Sequence, residues 1–170
     1  MRKFIFMGKF IFMGSIAFVS IAVDQLTKFL ATQYLMASEP LLFLGGSFRL
    51  TYSINHGAFL GLGSNLPDNI RNFIFSTLVG IFLIGFSIYV LRQKAMSKLE
   101  QVAYAFIISG GFSNLFDRIT NNGGVVDFMY MGIGWAHTGI FNVADVAIMA
   151  GVALVIFSSS KATTEESSGR

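Results

Sequence analysis

The chain of 170 residues is 54% hydrophobic and only 12% charged, and its mean hydropathy is +0.65. These proportions exclude an ordinary soluble domain and identify an integral membrane protein. Because the chain has no cysteine and a formal net charge of only +3, disulfides, thiolate nucleophiles, cysteine-based metal sites and nucleic-acid binding are not expected.

Four segments are apolar enough to cross a hydrocarbon core of about 30 Å, which takes roughly 20 helical residues. Helix is the expected state, because an open strand in lipid leaves backbone groups unpaired. The predicted spans are residues 10–30, 73–91, 102–116 and 140–157. Residues 1–23 also have the charged end and apolar run of a signal peptide, but no small-residue cleavage site follows them, which favours a span.

Basic residues outside the predicted spans indicate the orientation of the chain. The positive-inside rule places both termini in the cytoplasm and residues 31–72 and 117–139 outside. The basic residues on the predicted inner side are Arg2, Lys3, Lys9, Arg92, Lys94, Lys98 and Lys161, against Arg49, Arg71 and Arg118 on the outer side.

The segment between the first two spans is expected to form a small extracytoplasmic β-sheet at about residues 40–65. Hydrophobic residues from Phe48 to Ile54 alternate with polar ones, and this period of two is typical of an amphipathic strand. We therefore predict an all-α membrane protein of four transmembrane helices, with the sheet between helices 1 and 2. Residues 1–157 are expected to form a single membrane domain, and residues 158–170 a disordered cytoplasmic tail.

Polar side chains on the predicted helices cluster toward their outer ends. Asp24 and Lys28 are four residues apart on one helix face, where they form either a structural clamp or part of a site. Asn114 and Arg118 have the same spacing at the end of the third span. Spacing alone favours Arg118 as a topological anchor that reaches the surface.

Asp127 and Asp145 are the strongest indication of function, because an ionisable side chain near the bilayer centre costs about 2.5–3.5 kcal/mol and needs a partner or a role. Taken singly, Asp127 could be a solvated loop residue, and Asp145 a buried one satisfied by Asn142 or a neighbouring helix. Both have apolar neighbours, which favour a protonated carboxyl. If the chain folds back between them, the pair can share a water for general acid/base hydrolysis. His56 and His137 lack zinc-binding spacing, so no metal is predicted.

Five blocks, in order along nearly the whole chain, resemble the signature blocks of lipoprotein signal peptidase, the type II bacterial signal peptidase. They are VDQLTK at residues 23–28, NHGA at 55–58, GGFSNLFDR at 110–118, VVDF at 125–128 and FNVAD at 141–145. The resemblance implies an aspartyl endopeptidase of the bacterial inner membrane, with its active site toward the outer face. It would remove the signal peptide of prolipoproteins just before a diacylglyceryl-modified cysteine.

By position, the resemblance makes Asp127 and Asp145 the catalytic pair. It implies a supporting set of residues that line the site, help to position substrate or maintain the site: Asn55, Gly57, Asn114, Arg118, Asn142, Asp24 and Lys28. The sheet would be the one on which the family cradles its substrate. No cofactor is implied, the expected partners are diacylglyceryl-modified prolipoproteins and membrane lipid, and the protein is expected to be a monomer.

Four positions depart from the family's usual pattern, namely Phe59, Leu60, Ser113 and Val146. None of them removes a catalytic group, so we expect them to affect substrate preference or rate rather than the reaction. Two other functional classes also fit intramembrane aspartates: a small proton-coupled transporter, and a scaffold in which the carboxyls hold helices together. Neither inverted repeats nor broken helices, which would favour transport, are evident in the sequence.

Overall fold

The computed structural model describes residues 2–57 and 65–168. Within them lie five helices and four short strands. Phe59 and Leu60, two of the positions that depart from the family pattern, lie outside the described residues, as does part of the predicted β segment. A mostly helical fold with a small sheet was expected and is confirmed.

The helices are longer than the spans predicted for them. They are α1 (Arg2–Leu35), α2 (Asp68–Asn72), which leads through a π-helical stretch (Phe73–Leu78) into α3 (Val79–Arg92), α4 (Lys98–Thr120) and α5 (Val143–Ser168). Hydropathy detects only the apolar part of a helix, whereas polar residues can extend it. At the start of α4, for example, Ser97 and Glu100 form a reciprocal capping box, in which Ser97 N donates to Glu100 Oε2 at 2.7 Å.

Two stretches of the described chain are long and apolar enough to cross a membrane, Met7–Leu35 and Asn69–Arg92, and Val143–Ser159 forms a shorter apolar helix. Helix α4 carries several charged residues, so the count of four spans stays a prediction. Helix α5 begins at Val143 rather than at residue 140 and continues to Ser168. It therefore includes most of the segment for which we predicted disorder, because an established helix extends more readily than it nucleates.

Helix α4 packs closely against α5, and two glycines make this approach possible. A Cβ added to Gly110 would lie 2.5 Å from the carbonyl oxygen of Ala144, and one added to Gly151 would lie 2.6 Å from that of Ala103. Since real Cβ atoms do not approach backbone so closely, any larger residue at either position would force the helices apart. This close packing fixes the start of α5 against α4.

The sheet contains β1 (Leu41–Phe43), β2 (Phe48–Asn55), β3 (Val125–Ile133) and β4 (Ala136–His137), all antiparallel and in that order. Strand β2 confirms the alternating pattern. The prediction that the sheet lies between helices 1 and 2 was incomplete, since β3 and β4 come from the segment between α4 and α5. That segment is apolar apart from Asp127 and has no clear period of two, and such a run does not by itself distinguish a strand from a helix.

The sheet packs on the C-terminal end of α1. Phe128 of β3 is buried against Ala31 and Leu35 of α1, with Leu50 and Tyr52 of β2 beside them. This contact brings β3 across the ends of the helices. It also places Asp127, the neighbour of Phe128, over the bundle.

Candidate active site

Asp127 and Asp145 lie on different elements but line one cavity. Asp127 is in β3, opposite Ser53 of β2, and is only 1% exposed. Asp145 is in the first turn of α5. Both line the same cavity of about 490 Å³. The chain does fold back between the two aspartates, as the shared-water hypothesis requires.

Each carboxylate accepts two hydrogen bonds from amide groups. Asp127 Oδ2 accepts from Asn55 Nδ2 at 2.9 Å, and Oδ1 accepts from Asn142 Nδ2 at 2.7 Å. Asp145 Oδ1 accepts from Asn114 Nδ2 at 2.9 Å, and Oδ2 accepts from the backbone N of Asn142 at 3.2 Å. These contacts fix the orientation of both carboxyl groups without neutralising either of them.

Asn142 joins the two aspartates. It is fully buried, and while its Nδ2 donates to Asp127, its Oδ1 accepts from the backbone N of Asp145 at 2.9 Å. Together with the reverse bond from Asn142 N to Asp145, this is a reciprocal capping arrangement at the start of α5. The local sequence Asn-Val-Ala-Asp thus begins the helix and also holds one carboxyl in the cavity.

Burial changes the acidity of Asp127. Loss of solvent, followed by the negative charge of Asp145, raises the pKa of the Asp127 carboxyl to about 7, against the opposing effect of its hydrogen bonds from Asn55 and Asn142. Near neutral pH, Asp127 can therefore either hold a proton or release it. A group of this kind is suited to general acid/base catalysis.

A buried ionic cluster lies behind the two aspartates and consists of Lys28, Asp24 and Asp117. Lys28 Nζ lies 2.7 Å from Asp24 Oδ2 and 3.1 Å from Asp117 Oδ2, and the three residues are between 1% and 3% exposed. Lys28 Nζ also donates to Asn114 Oδ1 at 2.9 Å. Because lysine can only donate, it forces the amide nitrogen of Asn114 to face Asp145.

The two acids of this cluster each hold a backbone N–H group next to the catalytic candidates. Asp24 Oδ1 accepts from Ala144 N at 2.7 Å, and Asp117 Oδ2 accepts from Val126 N at 3.0 Å. Ala144 precedes Asp145, and Val126 precedes Asp127. The cluster therefore ties α1, α4, β3 and α5 together at the cavity.

Arg118 lies in the wall of the cavity beside both aspartates. Its Nη2 donates to the carbonyl oxygen of Gly57 at 3.1 Å, its Nη1 to that of Asn114 at 3.4 Å, and its guanidinium lies 5.9 Å from the Phe75 ring centroid. Its Nε is buried and has no hydrogen-bond partner among the described residues. The side chain thus points into the site and not out to the surface.

The structure brings together every residue predicted for the site and adds three that sequence reasoning missed: Gln25, Asp117 and Ser113. Gln25 Nε2 donates to Asp117 Oδ1 at 2.8 Å and to Ser113 Oγ at 3.0 Å, and Ser113 Oγ donates to Asp24 Oδ2 at 2.7 Å. All three stand in the quoted blocks, but none was given a role. Ser113, a departure from the family pattern, thus adds a hydroxyl to the cluster, whereas the Val146 side chain is exposed.

The rest of the cavity wall is apolar. Most of it comes from α5, and it consists of Phe75, Val79, Gly111, Val125, Ile148, Met149, Val152, Ala153 and Ile156. No group of acidic or histidine residues in the described chain could hold a metal ion. The cavity therefore combines a polar end that carries two carboxyls with an apolar side between helices, a shape and chemistry that suit an extended, partly apolar substrate.

Comparison with known proteins gives one consistent family. A family model described as signal peptidase II matches residues 16–161. Proteins named lipoprotein signal peptidase from Borrelia hermsii and Francisella tularensis subsp. mediasiatica are 32% and 35% identical to the chain over 144 residues. These alignments cover 82% and 85% of this chain and 84% and 88% of the relatives.

Two solved structures, each described as a bacterial membrane enzyme, have a similar fold. The first has a TM-score of 0.78 at 27% identity and covers 90% of both chains. The second has a TM-score of 0.70 at 26% identity and covers 86% of this chain and 90% of the other.

Proposed function

The chain belongs to the signal peptidase II family, and from that premise we propose that it is an aspartyl endopeptidase that removes signal peptides from prolipoproteins. Membership makes it a membrane-bound peptidase of bacteria. The observation that carries the aspartyl assignment is the pair Asp127 and Asp145, which face one cavity and are joined through Asn142.

In the proposed mechanism the two carboxyls hold one proton between them. The ionised carboxylate takes a proton from a water molecule, which attacks the scissile carbonyl, while the protonated carboxyl donates a hydrogen bond to the carbonyl oxygen. The tetrahedral intermediate then collapses as a proton passes to the departing amine of the cysteine. These reaction steps need neither an acyl-enzyme nor a cofactor. Asp127, with its pKa of about 7, can exchange a proton at neutral pH.

The proposed substrate is a prolipoprotein whose cysteine already carries diacylglycerol, cleaved just before that cysteine. The apolar side of the cavity between α3 and α5 can accept the signal helix or an acyl chain, while Arg118 and Asn55 at the polar end can bind peptide carbonyls. Lipid attachment would hold the scissile bond at the membrane surface. The effective concentration of the scissile bond at the carboxyl pair would then be high.

A cleavage assay tests this function. Purified protein in detergent is incubated with a diacylglyceryl-modified prolipoprotein or with its unmodified precursor, and cleavage is scored by a gel shift. We expect cleavage of the modified form only. Equal cleavage of both forms would contradict the proposed substrate, and no cleavage of either would favour the transport or scaffold alternatives.

We further propose that α1, α3, α4 and α5 all cross the membrane in one domain of a monomeric protein, with both termini in the cytoplasm and the carboxyl pair toward the outer face. The charge bias of the loops supports this orientation. The buried polar residues of α4 face α1, β3 and α5. Its charges are therefore kept away from lipid.

Cysteine labelling tests the orientation, because the natural chain has no cysteine. Single cysteines at Asn122, which is exposed between α4 and β3, and at Ser64 should react with an impermeant reagent in intact cells. A matched cysteine at the exposed Lys94, between α3 and α4, should react only after permeabilisation. The opposite pattern would reverse the orientation of the active site.

Replacement of Arg118 by lysine tests whether the planar guanidinium is needed. Lysine keeps the charge but cannot contact Gly57, Asn114 and a substrate carbonyl at once. We expect a loss of about 10²-fold in kcat/KM, comparable to the loss of one oriented donor, with unchanged insertion. Arg92→Lys, an exposed basic position in the last turn of α3, is the control, and wild-type turnover of R118K would make Arg118 a structural residue only.

A further inference from the structure

The end of the sheet farthest from the active site carries a group of exposed apolar side chains. We call this end the sheet tip and define it as residues 41–46 and 131–137. Trp135 is 93% exposed, Leu44 82%, Ile133 77% and Leu42 64%. Monomeric proteins rarely expose apolar patches of this kind unless they bind something.

Strand register places both parts of the tip together. Phe43 pairs with Phe48, Phe48 pairs with Met131, and Gly132 pairs with His137, so the β1–β2 turn and the β3–β4 hairpin emerge at the same end. Asp127 lies toward the opposite end of β3. The tip is therefore a surface separate from the catalytic cavity.

The path of β3 places the tip beyond the helix bundle. The strand starts beside α4, where Val126 N is held by Asp117, and Phe128 then packs on the end of α1. Met129 pairs with Phe141, which leads into α5. From there to Ile133 the strand continues for about 13 Å at roughly 3.3 Å per residue, and its last side chain is exposed to solvent.

Exposed apolar residues also connect the tip with the outer surface of α1. Phe29, Leu30, Tyr34 and Met36 are all exposed along the C-terminal end of that helix and the residues after it. Helix α1 is long and apolar enough to cross a membrane. Its exposed apolar surface therefore ends close to the tip, separated from β1 along the chain only by residues 37–40.

The charges near the tip suit a lipid surface. Residues 40–55 contain one formally charged side chain, Arg49, and residues 128–141 contain none; the exposed Glu39 lies just before β1. The exposed Arg49 guanidinium lies 5.0 Å from the Tyr130 ring centroid. An arginine together with tryptophan and tyrosine is the composition found at the interface between headgroups and acyl chains.

We propose that the sheet tip inserts into the lipid headgroup region of the outer leaflet, with Trp135 as its main anchor. The bilayer that surrounds the spans is the partner, and its phosphates meet Arg49. Insertion would cover the apolar edge strand β1, which is otherwise open to pairing with another chain. It would also fix the position of the sheet, and hence of Asp127, relative to the membrane.

Trp135 is the only tryptophan in the chain, so the wild-type protein carries its own probe. The full chain is reconstituted into phosphatidylcholine and phosphatidylglycerol vesicles, either plain or with acyl chains brominated close to the headgroup. We expect brominated lipid to cause a loss of Trp135 emission, and aqueous acrylamide to quench it only weakly. The proposal would be overturned if brominated lipid left the Trp135 emission unchanged and acrylamide quenched it as strongly as it quenches free tryptophan.

A control moves the probe to the other end of β3. The variant Trp135→Phe/Asn121→Trp has its tryptophan at an exposed polar turn between α4 and β3, and we expect bromine to quench it much less. Equal quenching of both proteins by brominated lipid would also overturn the proposal. So would a Trp135 that is shielded from both bromine and acrylamide but becomes accessible on dilution into excess lipid, because that result indicates contact with a second copy of the chain. The measurement needs no catalysis, so its failure leaves the peptidase proposal intact.

Discussion

Replacing either Asp127 or Asp145 by asparagine is expected to reduce prolipoprotein cleavage by about 10⁴-fold or more, since each removes one titratable group from a unit that handles a single water. Asparagine preserves the size of the side chain, so the fold should persist. The double variant should be scarcely slower than either single variant. Near-normal cleavage by either single variant would show that the carboxyls do not act together.

The pH dependence of the wild type gives a second measure of the same pair. Because the pKa of Asp127 is raised to about 7, the pair should lose its proton near that pH and cleavage should fall in more alkaline solution. At low pH, where both carboxyls are protonated, no base remains and the rate should fall again. A rate that stays constant through pH 7 and above would contradict the need for a protonated carboxyl.

Stability should change with pH in the same range, and the sign follows from proton binding. Between pH 3.8, the ordinary pKa of an aspartate, and about 7, the pKa of Asp127 in the fold, the folded protein keeps a proton on Asp127 that the unfolded chain has released. Stability therefore falls as pH rises through this interval and levels off above it. Thermal unfolding in detergent should show this decrease for the wild type relative to Asp127→Asn, which lacks the group.

Replacing Lys28 by methionine is expected to have the second largest effect. It would leave Asp24 and Asp117 as buried carboxyls without their cation, and loss of one partner from a buried ion pair costs about 3–5 kcal/mol. Asn114 would also lose the donor that orients it toward Asp145. We therefore expect a marked fall in melting temperature and loss of most cleavage.

The control for this variant is Lys94→Met, which removes an exposed lysine between α3 and α4. Its stability and cleavage should match those of the wild type, because exposed charges contribute little. If Lys28→Met were as stable and as active as Lys94→Met, the ionic cluster would have no part in holding the site together.

Much of the fold could be predicted from local patterns. Long apolar runs indicated the helices, and the alternation from Phe48 to Ile54 indicated β2. Strand β3 could not be predicted in this way, because Val125, Val126 and Phe128 are all buried and leave no polar alternation. Its pairing with β2 joins segments about 70 residues apart, as the bond from Asn55 to Asp127 shows, and local sequence carries no such information.

The candidate site divides in the same way. The carboxyl pair could be proposed because aspartates are costly in apolar surroundings, and the pairing of Asp24 with Lys28 followed from helical spacing. The third member of the cluster, Asp117, lies on α4 and pairs with Lys28 on α1, so spacing along one helix gave no indication of this contact. The sequence favoured Arg118 as a surface anchor, and this interpretation was wrong because spacing along a helix does not show whether a side chain turns toward the surface or into the site.

Product analysis by mass spectrometry tests the central claim most directly. Wild-type protein and the double variant Asp127→Asn/Asp145→Asn are each incubated with the same diacylglyceryl-modified prolipoprotein, and the mature fragment is identified by its mass. We predict one fragment that begins at the lipid-modified cysteine with the wild type, and no fragment above background with the variant. Formation of that fragment by the double variant at a comparable rate would contradict the aspartyl mechanism.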